Sequence, residues 1–251
     1  MANDGEILRQ VESGVLTLTI ARPGKKNALT IEMYQALGRY LAEGDQDPAI
    51  AAILLRGAGD CFTAGNDMGD FRKRAEATEP RPSAGLAFIE DLMACDTPVI
   101  AAVQGLAVGI GTTLLMHCDF VLADTSAKFR TPFVDLGLCP EAASSLLMPL
   151  MLGFRRANDL LLAGETLDAE QALRCDLVSR VCEPDALHMA ALDLARSLAA
   201  KPAQSLRLSK SLIRRYWRDA IAEALAIERE HFGERLRSDD CRAALERFFS
   251  R

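Results

Sequence analysis

The chain has 251 residues, 49% of them hydrophobic and 25% charged, a composition typical of a globular protein of one or two domains. Its formal net charge of -6 argues against general attraction to nucleic acid or to an anionic membrane surface. One local exception is the basic run with aromatic residues at positions 214–218, which is typical either of an RNA-binding segment or of the solvated face of a helix.

The reactive residue types favour a cytoplasmic protein without metal. The seven cysteines are scattered, odd in number and without a CxxC pair, as expected for reduced thiols. The three histidines, His117, His188 and His231, lie in no metal-ligand pattern, so we expect no metal site. Residues 1–10 lack an apolar signal core, and we expect no secretory targeting.

The first half of the chain mixes strand and helix patterns. Strands are predicted where apolar residues alternate or form short buried runs, at 15–20, 51–55, 99–103 and 120–122. Helices are predicted from the capping residue Thr30 to about residue 43, over 86–95, and from the glycine-rich segment 105–111 to about residue 117.

Residues 97–118 carry no charged side chain, and about 20 such residues can span a bilayer. The segment contains one proline and several glycines, whose placement is better explained by a buried strand, a glycine turn and a buried helix. We therefore favour an interior segment over a membrane span.

The second half is mainly helical. The sequence Thr166-Leu167-Asp168 predicts a helix start, residues 178–181 predict a short strand, and only helices are predicted from residue 184 onward. An apolar stripe at helical spacing can serve the core or a partner subunit; it comprises Ile221, Leu225, Phe232 and Leu236. This order of elements predicts an α/β core followed by a helical C-terminal part.

Two glycine loops follow apolar strands, one at residues 62–68 and the other at 103–111. Glycine lets a backbone turn sharply and approach a ligand closely, and amides exposed at such turns attract negative oxygen. Two amides that converge from separate loops would form an oxyanion hole. Each loop alone is more typical of an ordinary strand-to-helix turn than of a ligand site.

A third segment places Glu141 among small and apolar residues. That position suits a catalytic acid, and it equally suits a helix N-terminal acid favoured by the helix dipole. Other motifs are missing, since the second loop lacks the third glycine of GxGxxG and the chain has no GxSxG elbow.

Together these segments resemble the crotonase (enoyl-CoA hydratase/isomerase) family over nearly the whole chain, most closely the peroxisomal-type Δ3,Δ2-enoyl-CoA isomerases. The motifs that carry the resemblance are Arg22-Pro23 to Asn27-Ala28, Ala64 to Asp67, Pro98 to Gly111, Cys118-Asp119, Thr131 to Phe133 and Leu136 to Ser145.

The resemblance implies an α/β fold with a crotonase-like ββα spiral core over residues 1–195, which holds the CoA-thioester site. It also implies a helical trimerisation region over 196–251 and a homotrimer or a hexamer built as a dimer of trimers. The substrate would be an acyl-CoA thioester, with no cofactor because coenzyme A is part of the substrate.

The resemblance also assigns site residues. The oxyanion amides would be those of Asn66 and Ile110, and the catalytic acid would be Glu141. Relatives often have glycine at the position of Ile110, which a backbone amide tolerates. Substrate-binding positions would be Lys25, Ala64, Gly65, Asp67, Met68, Gly109, Phe133 and Leu138. Lys25 and Lys26 would meet the nucleotide end of coenzyme A, although both are equally typical of solvated surface charges; Lys210 is a weaker candidate for a CoA phosphate.

The reaction class follows from which acids this sequence lacks. Hydratases of the family use two glutamates, and the matching positions here hold Thr113 and Phe133. One carboxylate suffices to move a proton from C2 to C4 of a 3-enoyl thioester. We therefore expect Glu141 to isomerise 3-enoyl-CoA to 2-trans-enoyl-CoA, in the degradation of fatty acids or related acyl-CoA compounds. The alternatives are an enoyl-CoA hydratase or other crotonase-type enzyme, or a non-catalytic protein that binds acyl-CoA or RNA.

Overall fold

Two β-sheets form the interior of the protein. The computed structural model describes residues 5–77 and 82–250. The nine strands in this part of the chain are β1 (Glu6–Glu12), β2 (Val15–Ala21), β3 (Ala52–Gly57), β4 (Val99–Val103), β5 (Leu106–Val108), β6 (Phe120–Asp124), β7 (Lys128–Arg130), β8 (Thr166–Asp168) and β9 (Arg180–Cys182).

Eleven α-helices occur in the same described residues. They are α1 (Ile31–Gln46), α2 (Met68–Ala75), α3 (Ala84–Ala94), α4 (Ile110–Thr113), α5 (Ser144–Leu152), α6 (Phe154–Leu161), α7 (Ala169–Arg174), α8 (Leu187–Ala199), α9 (Ala203–Arg214), α10 (Arg218–Leu236) and α11 (Asp239–Phe249). Single turns of 3-10 helix cover Pro23–Lys25, Leu114–His117 and Val134–Leu136.

The larger sheet has six strands in the order β1-β2-β3-β4-β6-β9, parallel throughout except for the antiparallel hairpin of β1 and β2. The smaller sheet has the order β5-β7-β8. Because β2, β3, β4, β6 and β9 run parallel, the loops that follow these strands leave the same edge of the larger sheet. This is the α/β fold that the resemblance implies.

The alternation of side chains explains why the larger sheet is buried on both faces. In β3, Ile53 and Leu55 pack into the main core, whereas Leu54 faces a second core beneath α8. Ile100 on β4 and Leu187 on α8 contribute to the same second core. The apolar runs that predicted these strands are therefore apolar because helices cover both faces.

Helix α1 begins and packs as its sequence indicates. The Thr30 hydroxyl accepts a hydrogen bond from the Met33 amide, a cap of the kind that stabilises a helix by about 1 kcal/mol. Met33, Leu37 and Leu41 recur at four-residue spacing and are buried. Leu37 lies in the main core together with the residues of β2 and β3.

The C-terminal part is helical after β9 ends at Cys182. The predicted boundary between residues 195 and 196 falls inside α8, which packs against β3 and β4, and the division into two units stays a prediction. In the apolar stripe of α10, Leu225, Phe232 and Leu236 are buried in the main core of the same chain, and Ile221 packs against that core.

Helix α9 is joined to the core by buried charges. The Lys210 ammonium lies 2.7 Å from an Asp119 carboxylate oxygen and donates to the Thr97 carbonyl oxygen, also at 2.7 Å. Arg214 pairs with the other Asp119 oxygen. Lys210 as a ligand of a CoA phosphate is therefore wrong, because its charge is engaged inside the protein.

The basic run also has internal partners, since Arg214 pairs with Asp119 and Arg218 lies 3.3 Å from an Asp96 oxygen. Tyr216 is 86% exposed. The run lies at the junction of α9 and α10, and two of its three arginines form ion pairs within the chain.

Several local predictions are incomplete. The helix start predicted at residues 166–168 is confirmed, since Asp168 caps α7 in a reciprocal capping box with Gln171. The prediction missed that the same three residues also form strand β8. The sequence analysis did not predict β1, an edge strand whose side chains are mostly exposed, or α2, which follows the first glycine loop.

Residues 97–118 form β4, β5, α4 and a 3-10 turn, as the strand, turn and helix interpretation predicts. Across the ranges 5–77 and 82–250, none of the helices is both long and apolar enough to cross a bilayer.

Candidate active site

The first glycine loop connects β3 to α2 and is fixed from both sides. The Thr63 hydroxyl donates to the Asn27 carbonyl oxygen at 2.6 Å and accepts from the Gly65 amide at 3.0 Å. Gly65 has a φ of +88°, in the region that favours glycine. Asp67 then caps α2 and forms an ion pair with Arg22 at 2.7 Å.

The second glycine loop connects β5 to α4. Gly109 has a φ of +57°, and its amide donates to the Arg130 carbonyl oxygen. Ile110 is the first residue of α4, so its amide lies at a helix start, where an intrahelical acceptor is missing. The sharp turn at Gly109 therefore leaves this N–H available to an external oxygen.

Hydrogen bonds between the two loops bring their amides to one wall. The Thr63 amide donates to Leu106 O at 2.9 Å, and the Val108 amide donates to Thr63 O at 3.1 Å. A Cβ atom on Gly65 would lie 2.5 Å from Val108 O and 4.0 Å from the Ile110 nitrogen. Only glycine permits this approach.

The amides of Asn66 and Ile110 donate to no other group within residues 5–77 and 82–250. Two unsatisfied N–H groups on neighbouring loops are the arrangement that stabilises a negative oxygen. The Asn66 side chain is fixed as well, because its Oδ1 accepts a hydrogen bond from the Tyr34 hydroxyl at 2.8 Å.

Glu141 lies in the segment before α5 and is 3% exposed. Burial, with a smaller contribution from the charge of Glu228, raises the pKa of Glu141 to about 7, while Arg74 acts in the opposite direction. The pKa of Tyr34 rises because the residue is buried and because Glu141 is near. A carboxyl group with this pKa both accepts and releases a proton near neutral pH.

The segment that carries Glu141 has an unusual backbone. Ala142 and Ala143 have φ values of +61° and +56°, in the left-handed region, which costs a non-glycine residue roughly 1–2 kcal/mol each. His117 stabilises the segment with its Nε2, 2.8 Å from Ala142 O. Because a carbonyl oxygen only accepts, this Nε2 carries the proton; burial lowers the pKa of His117 to about 4, and the ring is neutral.

A cavity of about 870 Å³ connects the glycine loops, Glu141 and helix α11. Its floor is apolar and includes the side chains of Phe71, Phe133, Leu138 and Phe232. Lys25, Lys26, Arg130 and Arg247 also line it and are at least partly exposed. The cavity thus combines an apolar interior with cationic groups.

Three acids line this cavity, and two of them are engaged with arginine. Asp67 pairs with Arg22, and an Asp135 oxygen lies 2.8 Å from Arg130. The carboxyl group of Glu141 has no hydrogen-bond partner among the described residues. Of the lining acids, Glu141 is therefore the one whose protons are available to a ligand.

The predicted site residues lie together around this cavity. Its wall includes the proposed catalytic residues Glu141, Asn66 and Ile110, and the proposed binding residues Lys25, Ala64, Gly65, Asp67, Met68, Gly109, Phe133 and Leu138. Their roles stay predictions. Thr113 is buried outside the cavity wall, with its hydroxyl 3.5 Å from Ile110 O.

Sequence reasoning did not identify the residues on other helices that influence Glu141. Tyr34 on α1, Arg74 on α2 and Glu228 on α10 all interact with Glu141 electrostatically. His117 follows α4 and contacts the adjacent backbone. No local motif marks these residues, because they come together only through the packing of separate helices.

The fold and the site place backbone amides from two loops and one buried carboxyl group on the wall of a single, largely apolar cavity. Residues 10–251 match the family model described as enoyl-CoA hydratase/isomerase. The chain belongs to this family, within the crotonase superfamily, and is an enzyme of the enoyl-CoA hydratase/isomerase type.

Relatives of known name match over nearly the whole chain. The chain is 36% identical to 1,2-epoxyphenylacetyl-CoA isomerase of Escherichia coli (strain K12), over 98% of this chain and 95% of the relative. It is 33% identical to enoyl-CoA delta isomerase 2 of Rattus norvegicus, over 98% of this chain and 63% of the relative. The crystal structure of an enoyl-CoA hydratase/isomerase from Pseudoalteromonas atlantica T6c superposes with a TM-score of 0.92 at 42% identity, covering 97% of this chain and 96% of the other.

Proposed function

We propose that the protein is a Δ3,Δ2-enoyl-CoA isomerase. The observation that supports this most directly is the buried Glu141, the one acid on the cavity wall that forms no salt bridge with an arginine among the described residues. A base with a pKa of about 7 suits removal of a proton from carbon beside a thioester. The similarity to the rat enzyme named enoyl-CoA delta isomerase 2 supports the same reaction.

In the proposed mechanism, ionised Glu141 takes a proton from C2 of the 3-enoyl thioester. The C2–H electron pair forms a C1–C2 double bond while the C=O π electrons move onto the thioester oxygen, which gives a dienolate that still holds the C3–C4 double bond. The C2–C3 double bond forms in the second step, when the oxygen electrons restore the C=O bond and the C3–C4 π electrons take up a proton at C4. The amides of Asn66 and Ile110 donate to that oxygen. Protonated Glu141 then returns the proton at C4, which gives the 2-trans-enoyl thioester and regenerates the carboxylate.

Hydration requires more than this cavity offers. Adding water across the 2-enoyl double bond needs one group to activate water and another to protonate carbon. Phe133 lies on the cavity wall at one position where hydratases carry glutamate, and Thr113 is buried outside the wall at the other. With Glu141 alone available, proton transfer within the substrate is the better supported reaction.

The same proposal leads to expectations for CoA binding, for the oligomeric state and for the cellular location. The CoA portion would lie near Lys25 and Lys26, whose charges complement its phosphates, while the acyl chain would enter the apolar interior. We expect a homotrimer or a dimer of trimers, acting in the cytoplasm on intermediates of fatty-acid or related acyl-CoA degradation. Exposed apolar side chains on α9, including Leu212 and Ile213, are consistent with subunit contacts.

The test is Glu141→Gln, which keeps the size of the side chain and removes the base. We expect isomerisation of a 3-enoyl-CoA to fall by several orders of magnitude, while binding of a saturated acyl-CoA is retained. Glu230→Gln on the exposed face of α10 is the matched control and should keep the wild-type rate. Unchanged turnover by Glu141→Gln, or formation of only the water-addition product, would refute the proposal.

A second candidate is the rearrangement of an epoxide thioester. It is favoured by the 36% identity to 1,2-epoxyphenylacetyl-CoA isomerase and by the aromatic side chains of Phe71, Phe133 and Phe232 on the cavity wall. Assays with a 3-enoyl-CoA, a 2-enoyl-CoA and an aryl epoxide thioester distinguish the candidates by product. Turnover of the epoxide alone would make this second candidate the function.

A further inference from the structure

Helix α10 carries a buried acid that the proposed mechanism does not use. Glu228 is 6% exposed and lies far from Glu141 in sequence. Both of its carboxylate oxygens are engaged: Oε2 accepts from the Ala143 amide at 2.6 Å, and Oε1 accepts from the Ser145 amide at 2.8 Å. A buried carboxylate is retained without large cost only when such donors satisfy it.

The two amides belong to the segment that immediately follows Glu141. Ala143 precedes the first residue of α5 and offers no side-chain acceptor, so the first amides of that helix lack a local cap. Glu228 supplies the acceptor from another helix. At the same time, Ala142 and Ala143 both occupy the left-handed region, which requires stabilisation from the surroundings.

We infer that Glu228 is a positioning residue for the base: by holding the Ala143 and Ser145 amides, it fixes the backbone that directs Glu141 into the cavity. This inference rests on the proposed role of Glu141 as the base. His117 provides the opposing contact through Ala142 O, so the segment is held from two sides. A small displacement of a catalytic group can reduce the rate on the order of a hundredfold.

Glu228 acts on Glu141 through its negative charge as well as through its hydrogen bonds to the backbone. It raises the pKa of Glu141, together with the larger effect of burial, and Arg74 opposes both. Tyr34 and Cys139 are further titratable groups that interact with Glu141. Glu141 and Cys139 both interact with Glu228. The pKa of the Cys139 thiol is raised by burial and by the carboxylate of Glu228.

The test is Glu228→Gln, which keeps the shape but replaces one acceptor oxygen by an NH2 group. We expect kcat for a 3-enoyl-CoA to fall on the order of a hundredfold with KM nearly unchanged, because the cavity wall stays intact. The rise of kcat with pH should move to lower pH, since loss of the negative charge lowers the pKa of Glu141. Glu230→Gln is the matched control and should change neither quantity.

A second variant tests the positioning itself. Ala143→Gly removes the cost of the left-handed backbone, so adding it to Glu228→Gln should restore part of kcat. Unchanged kcat and an unchanged pH profile in folded Glu228→Gln would overturn the inference. The inference would also be overturned if Glu228→Gln failed to fold and adding Ala143→Gly did not restore folding. Glu228 would then be required for the stability of the fold, and not specifically for the position of Glu141.

A direct titration separates this inference from the proposed function. The infrared band of the protonated Glu141 carboxyl group is identified by its loss in Glu141→Gln, and its pH dependence gives the pKa without any substrate. A wild-type protein that fails to isomerise 3-enoyl-CoA would refute the proposed function alone. A Glu141 pKa and a kcat that are both the same in the wild type and in folded Glu228→Gln would refute the inference alone.

Discussion

The raised pKa of Glu141 predicts a specific change of stability with pH. Its ordinary value is 4.5, and burial raises it to about 7 in the folded protein. Between these values the folded state retains a proton that the unfolded state has released. The contribution of Glu141 protonation to the free energy of unfolding is therefore fully present below pH 4.5 and is lost as the pH rises through 7.

The magnitude follows from linkage. For one group with these two pKa values, the free energy of unfolding decreases by about 2 kcal/mol between pH 5.5 and 8.5. Glutamine does not titrate, so Glu141→Gln removes this dependence. Relative to the wild type, the variant should therefore gain about 2 kcal/mol of stability over that range. His117 also titrates on unfolding, but it is present in both proteins and cancels from the comparison.

The assay is urea-induced unfolding at pH 5.5, 7 and 8.5, followed through the fluorescence of Trp217, the single tryptophan. The exposed Glu230→Gln is the control and should follow the wild type at each pH. A difference between Glu141→Gln and the wild type that stays constant with pH would show that Glu141 titrates normally in the folded protein. The reasoning from burial would then be refuted.

Three further substitutions test the architecture of the site and the fold. Gly65→Ala should reduce kcat by about 10²–10³-fold in a steady-state assay, because the new Cβ lies 2.5 Å from Val108 O and separates the two amide donors; wild-type kcat would exclude this alignment. Asp119→Asn should destabilise the protein by about 3–5 kcal/mol in urea unfolding, since the buried Lys210 loses its counter-charge; a loss below 1 kcal/mol would contradict that. Arg74→Gln should raise the pKa of the base and move the rise of kcat to higher pH, and a move to lower pH would contradict the assigned sign.

The parts of the fold that the sequence predicts well are those determined locally. The strand at residues 99–103 and the start of α1 at Thr30 agree with the structure, because an apolar run and a capping side chain act within a few residues. Strand β1 escapes prediction because its side chains are mostly exposed and pairing with β2 defines it. The short strand β8 likewise depends on its partner β7, while its sequence is typical of a helix start.

The candidate site divides in the same way. The glycine loops and Glu141 are recognisable because each lies in a short segment of distinctive composition. The convergence of the loops depends on hydrogen bonds between Thr63 and residues 106–108, which no single segment reveals. Tyr34 and Glu228 interact with Glu141 only through the packing of α1 and α10, so their influence on the base was beyond sequence reasoning.

The chemistry of this cavity therefore has two separate origins. Under the proposed function, Glu141 is the one lining acid that forms no salt bridge with an arginine among the described residues, which would favour proton transfer within the substrate over the addition of water. Its basicity comes from burial and from the opposed charges of Glu228 and Arg74, on helices that do not carry it. Because proton-transfer rates follow basicity, substitutions at these remote positions can tune the reaction while the surface that the substrate meets stays the same.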